Sequence, residues 1–184
     1  MSRTCSVAAR RRATVSRVAA LFVLGGAMAF IRAEPAAAEP AKPARAEDGK
    51  YFDKDGNPTY NITADGSVDW ATYSGYRRYH AECHVCHGPD GMGSTYAPAL
   101  VDSLKKMGHD DFYAIVVQGR QDVNTGNQKV MPAFGTNPNV MCYLDDIYVY
   151  LRARAEGALE RVRPGKHEDK PNSVKEAEKS CIGS

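Results

Sequence analysis

The residues from His80 to Gly91 read HAECHVCHGPDG, and the first eight of them contain two cysteines and three histidines. Thiol and imidazole groups at this density suit three kinds of chemistry. They can bind zinc, form a thiol-disulfide redox pair, or anchor a covalently attached haem. The three possibilities differ in what they require of the neighbouring residues.

Zinc and thiol exchange both lack the surroundings that they require. A structural zinc site usually takes two close pairs of ligands, and no second CxxC or HxxxH motif follows Cys83 and Cys86. A redox CxxC begins a helix, whose dipole lowers the thiol pKa, whereas this one follows a predicted helix. Haem attachment needs two thioether cysteines and an adjacent iron ligand, which Cys83, Cys86 and His87 supply in order. The motif therefore favours one covalently bound haem c.

The first residues have the order of a secretory leader. An uncharged stretch over 18–30 follows basic residues, and small residues at 36–38 offer a cleavage site. The basic residues are Arg3, Arg10, Arg11, Arg12 and Arg17. Thirteen uncharged residues fall short of the roughly 20 that span a bilayer. We expect a signal peptide over 1–38, a periplasmic protein, and no stable membrane insertion after cleavage.

Removal of the leader changes the charge of the protein. The leader contains six basic residues and one acidic residue, so the 24 Lys and Arg and 22 Asp and Glu become 18 and 21. The mature chain then has a net charge of −3 before any cofactor is counted. Nucleic-acid binding requires a basic face, so this charge gives it no support.

The rest of the chain divides by composition. Residues 39–48 are rich in Pro, Ala and charge and predict a flexible tether, and turn signals within 49–66 predict a hairpin. The main domain over 67–160 has three helical patterns. The first begins near Val68, with Ser67 or Asp69 as its N-cap, the second covers 109–118, and the third covers 142–160. The tail over 161–184 is polar. Aspartates near residue 55 suggest a calcium loop. However, the glycine of such a loop is misplaced here and its closing glutamate is missing, so the sequence favours a turn.

The run CHGPDGMGSTYAPAL resembles class I cytochromes c. The resemblance implies a mostly α fold, with three or more helices around one covalently bound haem, here with an N-terminal hairpin extension and a C-terminal tail. It also implies that the Pro98 carbonyl accepts a hydrogen bond from His87, and that Met131, in the motif MPAFG, is the second axial ligand of the iron. Met141, His109 and a vacant site are the alternatives.

Further positions fit the same resemblance. Gly75 and Tyr79 of the first helix are expected to meet the last helix, and Arg120 resembles a propionate-binding arginine of some bacterial relatives. On the last helix the matching residues are Ile147, Tyr150 and Leu151. The arginines at 152, 154, 161 and 163 are expected to form a solvated face rather than a docking patch.

Two cysteines are not yet accounted for, because Cys5 is removed with the leader and Cys83 and Cys86 are predicted to bind the haem. We predict a disulfide between Cys142 and Cys181, which would stabilise the fold by roughly 4 kcal/mol in the loop-entropy description. With this pair, the segments SGYRRYHAECHVCHGPDG, NVMCYLDDIYVYLRARAEGAL and KHEDKPN resemble four-cysteine cytochromes c of methanol metabolism, related in role to cytochrome cL.

The narrower resemblance implies a function. It predicts a periplasmic one-electron carrier that accepts electrons from a PQQ-dependent methanol dehydrogenase and passes them to another cytochrome or a terminal oxidase. The alternatives are a haem enzyme with an open or displaceable sixth ligand and a sensory haem module. The MPAFG motif argues against an open site.

Overall fold

The computed structural model describes residues 43–124 and 127–183. The predicted signal peptide and residues 39–42 of the predicted tether lie outside the described residues. The described chain is predominantly helical, as predicted. Its helices are α1 (Trp70–Glu82), α2 (His84–His87), α3 (Leu100–Ser103), α4 (His109–Gln118), α5 (Pro138–Met141), α6 (Leu144–Ala155) and α7 (Asn172–Ile182).

Two small antiparallel sheets accompany the helices. The first contains β1 (Arg45–Glu47), β2 (Lys50–Phe52) and β3 (Pro58–Thr59), and the second is a hairpin of β4 (Arg120–Asn124) and β5 (Asn127–Met131). The second hairpin was not predicted from the sequence.

The N-terminal segment differs from its prediction. Residues 45–47 of the predicted tether form β1, because Asp48 and Gly49 adopt positive φ angles of 50° and 76° and reverse the chain into β2. The predicted hairpin over 49–66 is thus part of a three-stranded sheet. In the turn that follows, Asp53 Oδ1 accepts hydrogen bonds from the backbone N–H of Asp55 and of Asn57, both at 2.9 Å. This side chain closes a turn, as the sequence favoured.

Helices α1 and α6 cross closely and form the centre of the molecule. Asp69 is the N-cap of α1 and accepts a 2.8 Å hydrogen bond from the Thr72 N–H. The apolar stripe that the periodicity predicted on α6 is buried in the structure: Leu144, Ile147, Tyr148 and Leu151. Gly75 lies at the crossing, where its missing side chain lets the two backbones approach.

The helix predicted over 142–160 is shorter in the structure, where α6 covers Leu144–Ala155 and a separate short helix, α5, precedes it. Pro138 begins α5, with Asn137 as its N-cap, and the chain turns at Cys142 and Tyr143 before α6. Helix α6 ends at Ala155, earlier than predicted, because Gly157 follows with a φ of +73°. Apolar periodicity alone does not register this change of direction.

The polar tail is ordered over most of its length. Pro171 precedes α7, Val174 is buried, and Lys170 forms an ion pair with Glu178. A disulfide joins Cys181 to Cys142 across 39 residues, with a Cα–Cα distance of 5.8 Å. This is the pairing predicted from the sequence.

The arginines of α6 are not a solvated face. The side chain of Arg152 is only 16% exposed and contacts Asp53 and Glu156, both at 2.8 Å. Arg154 bonds the backbone carbonyls of Leu159 and Asp90. The expectation of solvation was wrong for these two, because the N-terminal sheet and the loop after His87 pack against α6. Arg161 and Arg163 are exposed, as expected.

Candidate functional site

The two cysteines of the motif lie where α1 meets α2. Cys83 is the C-cap of α1, and its carbonyl accepts hydrogen bonds from the N–H of Cys86 at 3.2 Å and of His87 at 3.0 Å. This single helical turn places the two cysteines about one turn apart, with the histidine next to the second. Cys83 packs partly buried against the core, whereas Cys86 is exposed.

His87 is held in one orientation. Its residue surface is only 8% exposed, and its Nδ1 lies 3.0 Å from the carbonyl oxygen of Pro98. A carbonyl can only accept, so Nδ1 carries the proton and Nε2 keeps its lone pair. A ligand histidine is commonly fixed in this way, because the acceptor sets its tautomer and raises its basicity. The geometry agrees with the role predicted for Pro98.

The loop after His87 is fastened to α1 by a buried tyrosine. The hydroxyl of Tyr79 donates to the Gly88 carbonyl at 2.5 Å and accepts from the Gly91 N–H at 3.0 Å. Burial raises the pKa of this hydroxyl, so it remains protonated and can donate. The carbonyl of His87 itself accepts from the Gly93 N–H at 2.7 Å.

The other two histidines of the motif are bonded to backbone carbonyls of α1. His80 Nδ1 lies 2.8 Å from the Tyr76 carbonyl, and His84 Nδ1 lies 2.9 Å from the His80 carbonyl. Both side chains lie along the end of α1 and the start of α2. The structure therefore distinguishes His87 from its neighbours by burial and by its acceptor.

The donor set fits a covalently bound haem better than the alternatives. Across residues 43–124 and 127–183, no three His, Cys, Asp or Glu side chains come together as a metal cluster. Burial raises the pKa of the Cys83 thiol to about 12, which is opposite to what a thiol-exchange pair requires. Two thiols one turn apart, followed by an oriented imidazole, match the donors that haem c takes from a protein.

Met131 is the last residue of β5. It packs partly buried against the same core as Cys83, and its backbone pairs with Arg120 at the start of β4. The side chain of Arg120 is exposed. Sequence reasoning did not find this pairing, although NTGN at 124–127 is a turn signal between two short polar runs.

The alternative iron ligands have other surroundings. His109 Nε2 lies 3.0 Å from Asp145 Oδ1, and this carboxylate raises the pKa of the histidine. Met92, which was not among the predicted alternatives, is 43% exposed, with its sulfur 3.9 Å from Arg154 Nη2. Met141 ends α5 and is partly buried against the core.

Comparison with known proteins finds that the chain is similar to cytochromes. Residues 71–151 match the family model described as cytochrome C oxidase, cbb3-type, subunit III. Cytochrome c-553I of Paracoccus denitrificans is 58% identical over 140 residues, which are 76% of this chain and 62% of that protein. The chain thus spans less than two thirds of that relative's length.

Two further relatives are matched over more of their length. Cytochrome c-555 of Methylococcus capsulatus (strain ATCC 33009 / NCIMB 11132 / Bath) is 38% identical over 93 residues, which cover 50% of this chain and 69% of that protein. The crystal structure of c-type cytochrome XoxG from Methylobacterium extorquens AM1 has a TM-score of 0.71 and 66% sequence identity, covering 77% of this chain and 86% of that one.

The crossed helices, the CxxCH turn and the oriented His87 define a class I cytochrome fold. With these relatives, the chain belongs to the c-type cytochromes. Proteins of this family bind haem c covalently, and the relatives are named as cytochromes, which are electron carriers and not enzymes. The fold and cofactor predictions are confirmed. Within the part of the chain that the structure describes, no helix is both long and apolar enough to cross a membrane.

Proposed function

We propose that Cys83 and Cys86 bind one haem through thioether bonds, and that His87 and Met131 are the axial ligands of its iron. The observation that carries this proposal is the hydrogen bond between His87 Nδ1 and the Pro98 carbonyl, which leaves Nε2 free for a metal. The MPAFG motif favours Met131 over Met141, which is also partly buried against the core, and the hydrogen bond of His109 to Asp145 favours Met131 over that histidine.

The haem supplies a one-electron couple when bound, and a methionine-histidine ligand pair raises its reduction potential. The protein's part is to fix the ligands. Pro98 sets the tautomer of His87, and Tyr79 fastens the loop that follows it. Arg120, exposed at the start of β4, is the proposed contact to a propionate.

Ligation by Met131 is tested by replacing it with alanine. Ferric Met131→Ala is expected to lose the near-infrared charge-transfer band of methionine-ligated haem and to bind cyanide readily. Met141→Ala is the matched control, because Met141 is also partly buried against the core. A band that survives in Met131→Ala and disappears in Met141→Ala would transfer the ligand role to Met141.

We further propose that the protein works in the periplasm, accepts electrons from a PQQ-dependent methanol dehydrogenase, and passes them to another cytochrome or a terminal oxidase. The predicted leader supports the location. The resemblance to four-cysteine cytochromes of methanol metabolism and the 66% identity to XoxG support the donor.

Apolar side chains next to the haem motif suit a transient contact with such partners. Val85, between the two haem cysteines, is 72% exposed, and Tyr96 is 74% exposed. The loop of Tyr96 lies beside Cys86, because Ser94 Oγ donates to the Cys86 carbonyl at 2.5 Å. Redox complexes of this kind bury little surface, so a few exposed apolar residues are sufficient.

Stopped-flow mixing tests the donor. The ferric protein should be reduced rapidly by a PQQ-dependent methanol dehydrogenase that is turning over methanol, and more slowly when Tyr96 is replaced by serine. A PQQ-dependent dehydrogenase for a different substrate serves as the control. If the methanol dehydrogenase gives no reduction while a chemical reductant does, the donor is wrong and only the carrier role stands.

A further inference from the structure

Gly119 makes an unusually close contact with the segment that contains Met131. It ends α4 with a φ of +73° and precedes Arg120, whose backbone pairs with Met131. A Cβ atom at this position would lie 2.6 Å from the Met131 carbonyl oxygen, 2.8 Å from the Ala133 nitrogen and 2.9 Å from the Pro132 carbonyl carbon. All three neighbours are backbone atoms, so the end of α4 and the Met131 segment touch without intervening side chains.

The same two segments are joined on the far side of Met131. The Phe134 N–H donates to the Val116 carbonyl at 3.0 Å, and the Gly135 N–H donates to the Val117 carbonyl at 3.2 Å. The backbone from Met131 to Gly135 therefore rests on the last turn of α4. A shift of one segment away from the other would move the Met131 backbone.

We propose that Gly119 is a positioning residue for the methionine ligand: its lack of a side chain sets how closely the Met131 backbone approaches α4, and hence where the thioether lies. The inference rests on the proposed function, in which Met131 is the sixth ligand. It adds that the ligand's position is fixed by contact with α4 and not by the loop of Met131 alone.

Replacing Gly119 by alanine has two effects, backbone strain and steric overlap with the Met131 segment. A control substitution at a second glycine distinguishes them. The positive φ makes any side chain strained, and the Met131 segment leaves no room for a Cβ atom. Gly157, after α6, has the same φ of +73° but nothing within 4 Å of its Cβ position. Gly157→Ala therefore places a side chain at the same positive φ without the contact.

The test compares the purified ferric holoproteins. Gly119→Ala should weaken or lose the near-infrared methionine band and bind cyanide faster by about tenfold or more, the scale on which the groups that orient metal ligands act. Gly157→Ala should keep the wild-type band and cyanide rate. A wild-type band and rate in Gly119→Ala would overturn the proposal, and so would equal changes in both variants.

Two further variants keep the result decisive. If Gly119→Ala yields no haem protein, Gly135→Ala replaces it, since its Cβ would lie 3.0 Å from the Val117 carbonyl oxygen. A smaller increase in cyanide rate is then expected, and an unchanged rate would overturn the proposal. Met131→Ala distinguishes failure of the ligand assignment from failure of the positioning role of Gly119. If the near-infrared methionine band persists in Met131→Ala, the ligand assignment is refuted, and with it the inference. A band lost in Met131→Ala but kept in Gly119→Ala refutes the inference alone.

Discussion

Gly75 of α1 lies directly against the backbone of Asp146 in α6. A Cβ atom on Gly75 would overlap the Asp146 carbonyl oxygen, and would lie 2.5 Å from its carbonyl carbon and 2.8 Å from the Tyr150 Cβ. The two central helices can meet at this distance only because one residue has no side chain.

We expect Gly75→Ala to destabilise the protein by about 3 kcal/mol or more, since two helix backbones must separate to admit one methyl group. Chemical denaturation of the holoprotein measures the loss. Gly165→Ala is the control, because nothing lies within 4 Å of its Cβ position. Equal midpoints for the two variants would show that the crossing has room to adjust.

Replacement of Tyr79 by phenylalanine should free the loop after His87. The change removes the hydroxyl that bonds Gly88 and Gly91, leaving two buried backbone groups unpaired at a cost of about 1–3 kcal/mol. Hydrogen exchange at the Gly91 amide should become faster. Tyr60→Phe is the control, because Tyr60 is equally buried but bonds Glu156 at 2.6 Å, on a different part of the fold. Unchanged exchange at Gly91 in Tyr79→Phe would rule out the fastening role.

The stability of the protein should depend on the titration of Asp146. Burial raises the pKa of this carboxyl from 3.8 to about 7, partly offset by a hydrogen bond from Ser74 and by Lys50, while Asp145 and Asp69 add to the rise. The folded state therefore keeps a proton that the unfolded chain releases. The stabilisation from this group is complete below about pH 4 and is lost as the pH rises through 7.

Asp146→Asn isolates this group, because an amide does not titrate. The free energy of unfolding of the wild type, relative to the variant, should fall by up to about 4 kcal/mol as the pH rises from about 4 to about 8. Denaturant titrations at several pH values give the difference. Parallel profiles for the two proteins would show that Asp146 ionises normally.

Arg152 should couple the N-terminal sheet to α6. Its ion pair with Asp53 is mostly shielded from solvent, with side-chain exposures of 16% and 12%. A double-mutant cycle with alanine at both positions should give a coupling of about 1–3 kcal/mol. Lys54 and Asp55 form a control pair at the same 2.8 Å distance but with exposures of 83% and 61%, and their coupling should be clearly smaller because solvent screens it. Equal couplings would mean that shielding from solvent adds nothing to the Arg152 pair.

Features that depend on neighbouring residues in the chain could be predicted from the sequence, whereas features that depend on distant residues could not. Cys83, Cys86 and His87 could be assigned because their chemistry follows from adjacent positions, and α4 could be delimited because Gly119 ends its apolar pattern. Helix α7 was missed, because its polar surface carries one buried side chain, Val174, and it is further held by a disulfide to a distant residue.

Contacts between distant segments were the least predictable. Tyr79 was expected to pack against the last helix, and its two hydrogen bonds depend on the path of a loop that spacing does not encode. Arg152 looked solvated on a helical projection, because Asp53 lies 99 residues away in the chain. In each case the hydrogen-bond partner of the helix residue depends on how the N-terminal sheet or the loop after His87 packs, and the sequence pattern of the helix itself does not reveal it.

The central claim is that Cys83, Cys86 and His87 form the site of one covalently bound haem. Mass spectrometry of the exported protein tests it most directly, after alkylation of free thiols and proteolysis. We predict that the peptide containing Cys83 and Cys86 carries the mass of one haem and no alkyl group on either cysteine. The same peptide without haem and alkylated at both positions, in a protein matured by a cell that makes c-type cytochromes, would contradict the account.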